Sequence, residues 1–98
     1  MEIIQKKENT SLEIALVGRL DTTTAPQLEA VVKENLEGVT DLVLDFTKLE
    51  YVSSAGLRVI LASQKTMNKQ GSMVIRHVSP DIQEVFEITG FSDILTIE

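Results

Sequence analysis

The sequence predicts an α/β domain, with a mixed central sheet of about four to five strands and helices packed on it. Three observations carry this. Apolar residues recur with period two, or in short continuous runs, in some segments and with helical period in others. After an initial pair of strand-like segments the two kinds alternate along the chain, and only a few residues separate them. That order favours a sheet covered by crossover helices. At 98 residues, the chain suits one domain spanning residues 1–98, long enough to bury one two-layer core and too short for two.

The first strand lies in "MEIIQKK" and pairs across the "ENTS" turn with "SLEIALVG", which alternates, runs apolar and ends at Gly18. From Thr24, "TAPQLEAVVKENLEG" places Leu28, Val31, Val32 and Leu36 on one helical face, with Thr24 and Gln27 at capping-box spacing and Gly38 as the stop. "DLVLDF" is nearly continuous in apolar character, as expected of a central strand covered on both faces. The second helix, "SSAGLRVILASQKTMNKQG", gathers Leu57, Ile60, Leu61 and Met67 on one side, carries Lys65 and Lys69 near its end and stops at Gly71. "SMVIRHV" follows as a strand. "SPDIQEVFEITG" is a short helix with Ser79 as N-cap, Pro80 at its first position and Gly90 as its stop. "FSDILTIE" closes the chain as a last strand or an extended tail.

Composition narrows the function. Apolar residues make up 43% and charged residues 24%, values of a globular chain. There are no cysteines, which removes disulfides, zinc ribbons and thiol chemistry and is compatible with a reducing cytoplasm. The opening "MEIIQKKENT" has no basic segment followed by an apolar core, and no apolar run approaches the ~20 residues that cross a bilayer. A cytoplasmic setting without membrane insertion is expected. Fifteen acidic against nine basic side chains give a formal charge of −6, which repels nucleic-acid phosphates and anionic lipid. A protein partner is the expectation.

The densest chemical signal is "DFTKLEYVSSAGLRVIL", where a strand gives way to two serines, a small residue and a glycine before an amphipathic helix. Ser53 and Ser54 fall at the helix N-terminus, where backbone N–H groups lack partners and the dipole favours an anion. One of them serves as the N-cap. Ala55 and Gly56 need another reason, since glycine in a first turn costs up to about 1 kcal/mol relative to alanine. Small residues there let another molecule's backbone or a phosphate come close, although the spacing also fits a plain cap.

This stretch, with "LVGRLDTTTAPQLEA" upstream and "VFEITGFSDILTI" at the end, resembles the STAS domain of bacterial anti-sigma factor antagonists over nearly the whole chain. The resemblance implies a single STAS-like domain and a phosphorylation site at Ser54, the serine two residues before the Gly-Leu pair. The kinase it implies is the anti-sigma factor itself, a serine kinase, with a metal-dependent serine phosphatase reversing the modification. It also implies that Asp21, in the loop before the first helix, contacts partner or nucleotide. Many members carry aspartate just before the phosphorylated serine, where this chain has Ser53, so two hydroxyls compete for the role of acceptor. The expected partner surface comprises Asp21, Thr22, Ser53, Ser54, Ala55, Gly56, Leu57 and Arg58.

The other candidates have plainer readings. Thr22, Thr23 and Thr24 fit a helix start, and Asp45 fits a cap for the turn that follows it. Arg58, one turn after Ser54, fits either an acidic partner residue or solvent. His77 has no serine or carboxylate spaced for a triad, and Tyr51, Phe86 and Phe91 are too scattered to stack bases. "VSSAG" is not a Gly-x-Ser-x-Gly elbow, and neither metal-ligand clusters nor phosphate loops occur. The chain is therefore expected to be no enzyme, to need no cofactor, and to be the substrate of another enzyme. Two rivals differ in class: an accessory subunit docked permanently on a transporter ATPase or other assembly, and a nucleotide sensor using the same pocket.

Overall fold

The computed structural model describes residues 1–98. Strands β1 (Glu2–Glu8) and β2 (Ser11–Leu20) form an antiparallel hairpin running from Glu2 opposite Val17 to Glu8 opposite Ser11, with Asn9 left-handed (φ 57°) in the turn. Helix α1 (Ala25–Asn35) carries the chain to β3 (Asp41–Val52), which lies parallel to β2. Helix α2 (Ser54–Gln70) carries it on to β4 (Ser72–Arg76), parallel to β3. The sheet is mixed, four-stranded and ordered β1-β2-β3-β4, as parallel neighbours joined by helical crossovers require. Helix α3 (Pro80–Thr89) and a 3-10 turn (Phe91–Asp93) follow, and the tail returns to the sheet edge through one parallel bridge from Ile97 to Ile75.

One continuous core of 23 buried apolar residues joins the sheet to the helices. Leu12, Ile14 and Leu16 of β2 and Leu42, Leu44 and Phe46 of β3 meet Leu28 of α1, Ile60 and Met67 of α2, and Phe86 of α3 within it. The Phe46 and Phe86 rings lie 6.4 Å apart, tilted by 38°. Each fully buried side chain of this kind contributes about 1.5–3 kcal/mol.

Several expectations need correction. β3 is internal, but only one of its faces is covered. Leu42, Leu44 and Phe46 are buried, whereas Asp41, Val43 and Asp45 alternate with them on a face that no helix covers. Val43 alone makes the run look continuous. β2 does not end at Gly18: the glycine takes φ 106° between two register shifts, and the strand resumes to Leu20. Such a bulge absorbs an irregular residue without ending the pairing. α1 ends at Asn35 with Leu36 as its C-cap, before Gly38. β4 stops at Arg76 because His77 turns left-handed (φ 60°). The third helix is as expected, with the Ser79 hydroxyl accepting from the Ile82 amide (3.3 Å) and Gly90 closing it at φ 80°.

Candidate functional site

The site lies where β2 and β3 end side by side and α2 begins. Leu20 and Val52 are paired and buried, and the Ser53 amide donates to the Leu20 carbonyl at 2.8 Å. Residues directly after each strand, Asp21 in one chain segment and Ser53 and Ser54 in the other, are thereby brought to one edge of the sheet. The carboxyl ends of parallel strands are where open α/β sheets present their sites.

The two serines divide the work. Ser53 is the N-cap, extended at φ −91° and ψ 175°, and its hydroxyl accepts from the Gly56 amide at 3.4 Å while its carbonyl accepts from Leu57 at 2.9 Å. Ser54 is the first helical residue, exposed and free of capping duty. Its own amide and that of Ala55 are first-turn donors without intrahelical acceptors. A hydroxyl presented there is open to an incoming enzyme, and a phosphate on it meets the positive end of the helix.

Asp21 organises the neighbouring loop. Its Oδ1 accepts from the Thr23 hydroxyl (2.7 Å), the Thr23 amide (3.0 Å) and the Thr24 amide (3.1 Å), and its carbonyl accepts from the Ala25 amide (2.8 Å). Asp21 thus closes the Thr22–Thr24 turn that leads into α1, and the Thr24–Gln27 box that the spacing suggests does not form. Thr24 makes no cap; its hydroxyl donates to the Arg19 carbonyl (2.7 Å) and accepts from the Asp21 amide (2.8 Å). The Thr23 hydroxyl and, against some desolvation, the loop amides hold the Asp21 carboxyl below its ordinary value of 3.8. A lowered carboxyl pKa stabilises the fold fully above that value, and the contribution is lost as pH falls through the folded-state pKa. Accordingly, the stability gap between wild type and Asp21→Asn, read by urea unfolding, is expected at neutral pH and to narrow below pH 3.8.

Asp45 caps its own turn, as expected: its Oδ1 accepts from the Thr47 hydroxyl (2.6 Å) and amide (2.9 Å). Desolvation pushes its carboxyl up, but the Thr47 bonds and the charges of His77 and Arg76 outweigh this and leave it lowered.

Of the residues expected on the partner surface, Thr22, Ser54 and Arg58 are exposed, and Asp21, Ser53 and Ala55 are half-buried at its floor. Thr22 and Pro26 face Ala55 and Arg58 across a shallow groove of about 200 Å³ between α1 and α2. Gly56 and Leu57 are a correction: both are buried, Leu57 at 6% exposure, so neither offers surface. A Cβ at Gly56 would come within 2.6 Å of the Leu20 Cγ. The glycine lets α2 approach β2, not an outside molecule.

Sequence reading missed one pairing next to the Asp21 loop. Arg19 and Tyr51 are register neighbours on β2 and β3, and the guanidinium carbon sits 4.4 Å from the Tyr51 ring centroid. Each stands two residues before a recognised site residue, Asp21 and Ser53 respectively, which is the only trace of the pairing in the sequence.

The STAS domain family matches residues 3–98, and the chain belongs to that family. Among its relatives, BtrV of Bordetella bronchiseptica, assigned to the anti-sigma factor antagonists, is 37% identical over 99% of this chain and 85% of its own length. The anti-sigma-B factor antagonist of Listeria monocytogenes is 31% identical over 97% of this chain and 85% of its own. Bacillus SpoIIAA, solved in its phosphorylated form, superposes with a TM-score of 0.78 at 20% identity, covering 99% of this chain and 91% of that one. No helix is long and apolar enough to cross a membrane.

Proposed function

We propose that this chain is a non-enzymatic, single-domain anti-sigma factor antagonist of the cytoplasm, acting by partner switching. Unphosphorylated, it binds an anti-sigma factor that is a serine kinase and so frees a sigma factor. Phosphorylated on Ser54 it lets go, and a metal-dependent serine phosphatase restores it. The observation that carries this reading is the division of labour at α2: Ser53 holds the cap, so Ser54 is exposed without a structural task. The antagonist relatives from Bordetella and Listeria, which match nearly the whole chain, support it. So does the existence of a phosphorylated form of SpoIIAA.

The geometry also accounts for the departure at Ser53. Aspartate and serine are both strong N-caps, so serine there preserves the helix start while removing one negative charge beside the acceptor. Intact-mass spectrometry after incubation with ATP and the kinase encoded nearby tests the proposal. One added phosphoryl group is expected on wild type and on Ser53→Ala, and none on Ser54→Ala. Addition that survives Ser54→Ala and disappears in Ser53→Ala would move the acceptor. No addition by an active kinase that binds the chain would overturn the switch.

A further inference from the structure

We propose that Arg19, held over Tyr51, is a specificity residue that receives a carboxylate of the partner kinase. This rests on the proposed function and extends its surface beyond the Asp21 loop and the head of α2. The Arg19 guanidinium is fixed on two sides. Its Cζ lies over the Tyr51 ring, 4.4 Å from the centroid, and its Nε stands 3.9 Å from the Asp21 Oδ2. The side chain nevertheless stays 59% exposed. A guanidinium held over a ring and still exposed retains donors for a carboxylate, which it can meet with two parallel bonds.

Asp21 pairs with the cation only loosely, without a hydrogen bond. Its Oδ1 is taken up by Thr23 and Thr24, and Oδ2 lies beyond hydrogen-bond distance of the Arg19 Nε. The result is a pre-ordered cation on a chain whose formal charge is −6. Ordering before binding lowers the entropy lost on binding, and arginine and tyrosine are the side chains that most often dominate contact energies. Continuity with the rest of the site runs through Asp21, whose Oδ2 lies 3.9 Å from the Arg19 Nε. A partner that engages the Asp21 loop therefore meets the Arg19–Tyr51 pair beside it. The occupant is a protein carboxylate, because the unphosphorylated chain is the binding form and in that state Arg19 has only a loose ion pair with Asp21, with no hydrogen bond to it.

The test is calorimetric titration of the full unphosphorylated chain with the serine kinase from the same genome that binds wild type. Arg19→Ala is expected to weaken binding about tenfold and Arg19→Glu about 100-fold or more, with melting temperatures unchanged. Arg19→Lys, which keeps the charge but loses the fork, falls between wild type and Arg19→Ala, and Tyr51→Phe, which keeps the ring, matches wild type. A carboxylate-to-arginine change on the kinase that restores the Arg19→Glu variant identifies the counterpart. Binding of Arg19→Ala and Arg19→Glu within twofold of wild type overturns the inference alone, including the case of a guanidinium reserved for the chain's own phosphorylated Ser54. Failure of wild type to bind any such kinase overturns the underlying function as well.

Discussion

Replacing Gly56 with alanine is expected to destabilise the protein by about 1–3 kcal/mol, and with valine by more, although either residue has a better helix propensity than glycine. The added Cβ would lie 2.6 Å from Leu20 Cγ, 2.9 Å from Leu20 Cδ2 and 3.1 Å from the Leu20 carbonyl oxygen. Leu20 is fully buried and its backbone anchors Ser53, so relief by side-chain movement disturbs the core and relief by backbone movement strains the 2.8 Å bond that fixes the head of α2. The propensity gain of up to about 1 kcal/mol is too small to offset this. Leu20→Ala alone is expected to cost about 2–5 kcal/mol through the cavity it leaves. The double variant Gly56→Ala with Leu20→Ala should cost less than the sum, since the new methyl enters vacated space. Urea midpoints of the four proteins measure that coupling. Additive costs would show that the helix start does not depend on this contact.

Much of the fold was legible because its signals are local. The β1–β2 hairpin, the Ser79-Pro80 start and the Gly90 stop of α3 each depend on neighbours in sequence, and each formed as read. What failed depends on partners distant in sequence. The smallness of Gly56 was visible, but its reason is Leu20 on another strand, so the position suggested an external contact. Val43 suggested a strand buried on both faces because only the third dimension shows where helices are absent. The Arg19–Tyr51 stack depends on parallel pairing of β2 with β3 across two register shifts, which no local pattern encodes. In the site itself, the exposed Ser54 and the loop carboxylate Asp21 were readable, whereas the assignment of the cap to Ser53 needed the backbone angles and the Gly56 amide.

Phosphorylation of Ser54 is expected to weaken binding of the partner kinase by about 100-fold or more while leaving the fold as stable as before. The two effects have separate causes. Within the chain, the added charge of about −2 sits at the first residue of α2, where unpaired amides and the helix dipole favour it by about 0.3–1 kcal/mol. Arg58, exposed one turn later, is spaced to pair with it. Against a partner packed over Thr22, Ala55 and the groove beside Arg58, the same dianion is desolvated at the sheet edge that also carries the Asp21 carboxylate, ionised at neutral pH like any aspartate and with its pKa held below 3.8 by its bonds to Thr23 and Thr24. An uncompensated buried charge costs about 3–5 kcal/mol, and each ~1.4 kcal/mol is tenfold in affinity. Ser54→Asp, with one charge and a shorter reach, should lose less than the phosphorylated protein, and Ser54→Ala should bind as wild type does. Ser53→Ala should lose about 1 kcal/mol of stability with its cap and still be switched off by phosphate on Ser54. Melting temperature and affinity measured on the same phosphorylated sample separate the causes. Lost binding with an unchanged or raised melting temperature places the switch in the surface, whereas a melting temperature that falls with affinity would place it in the unwinding of α2.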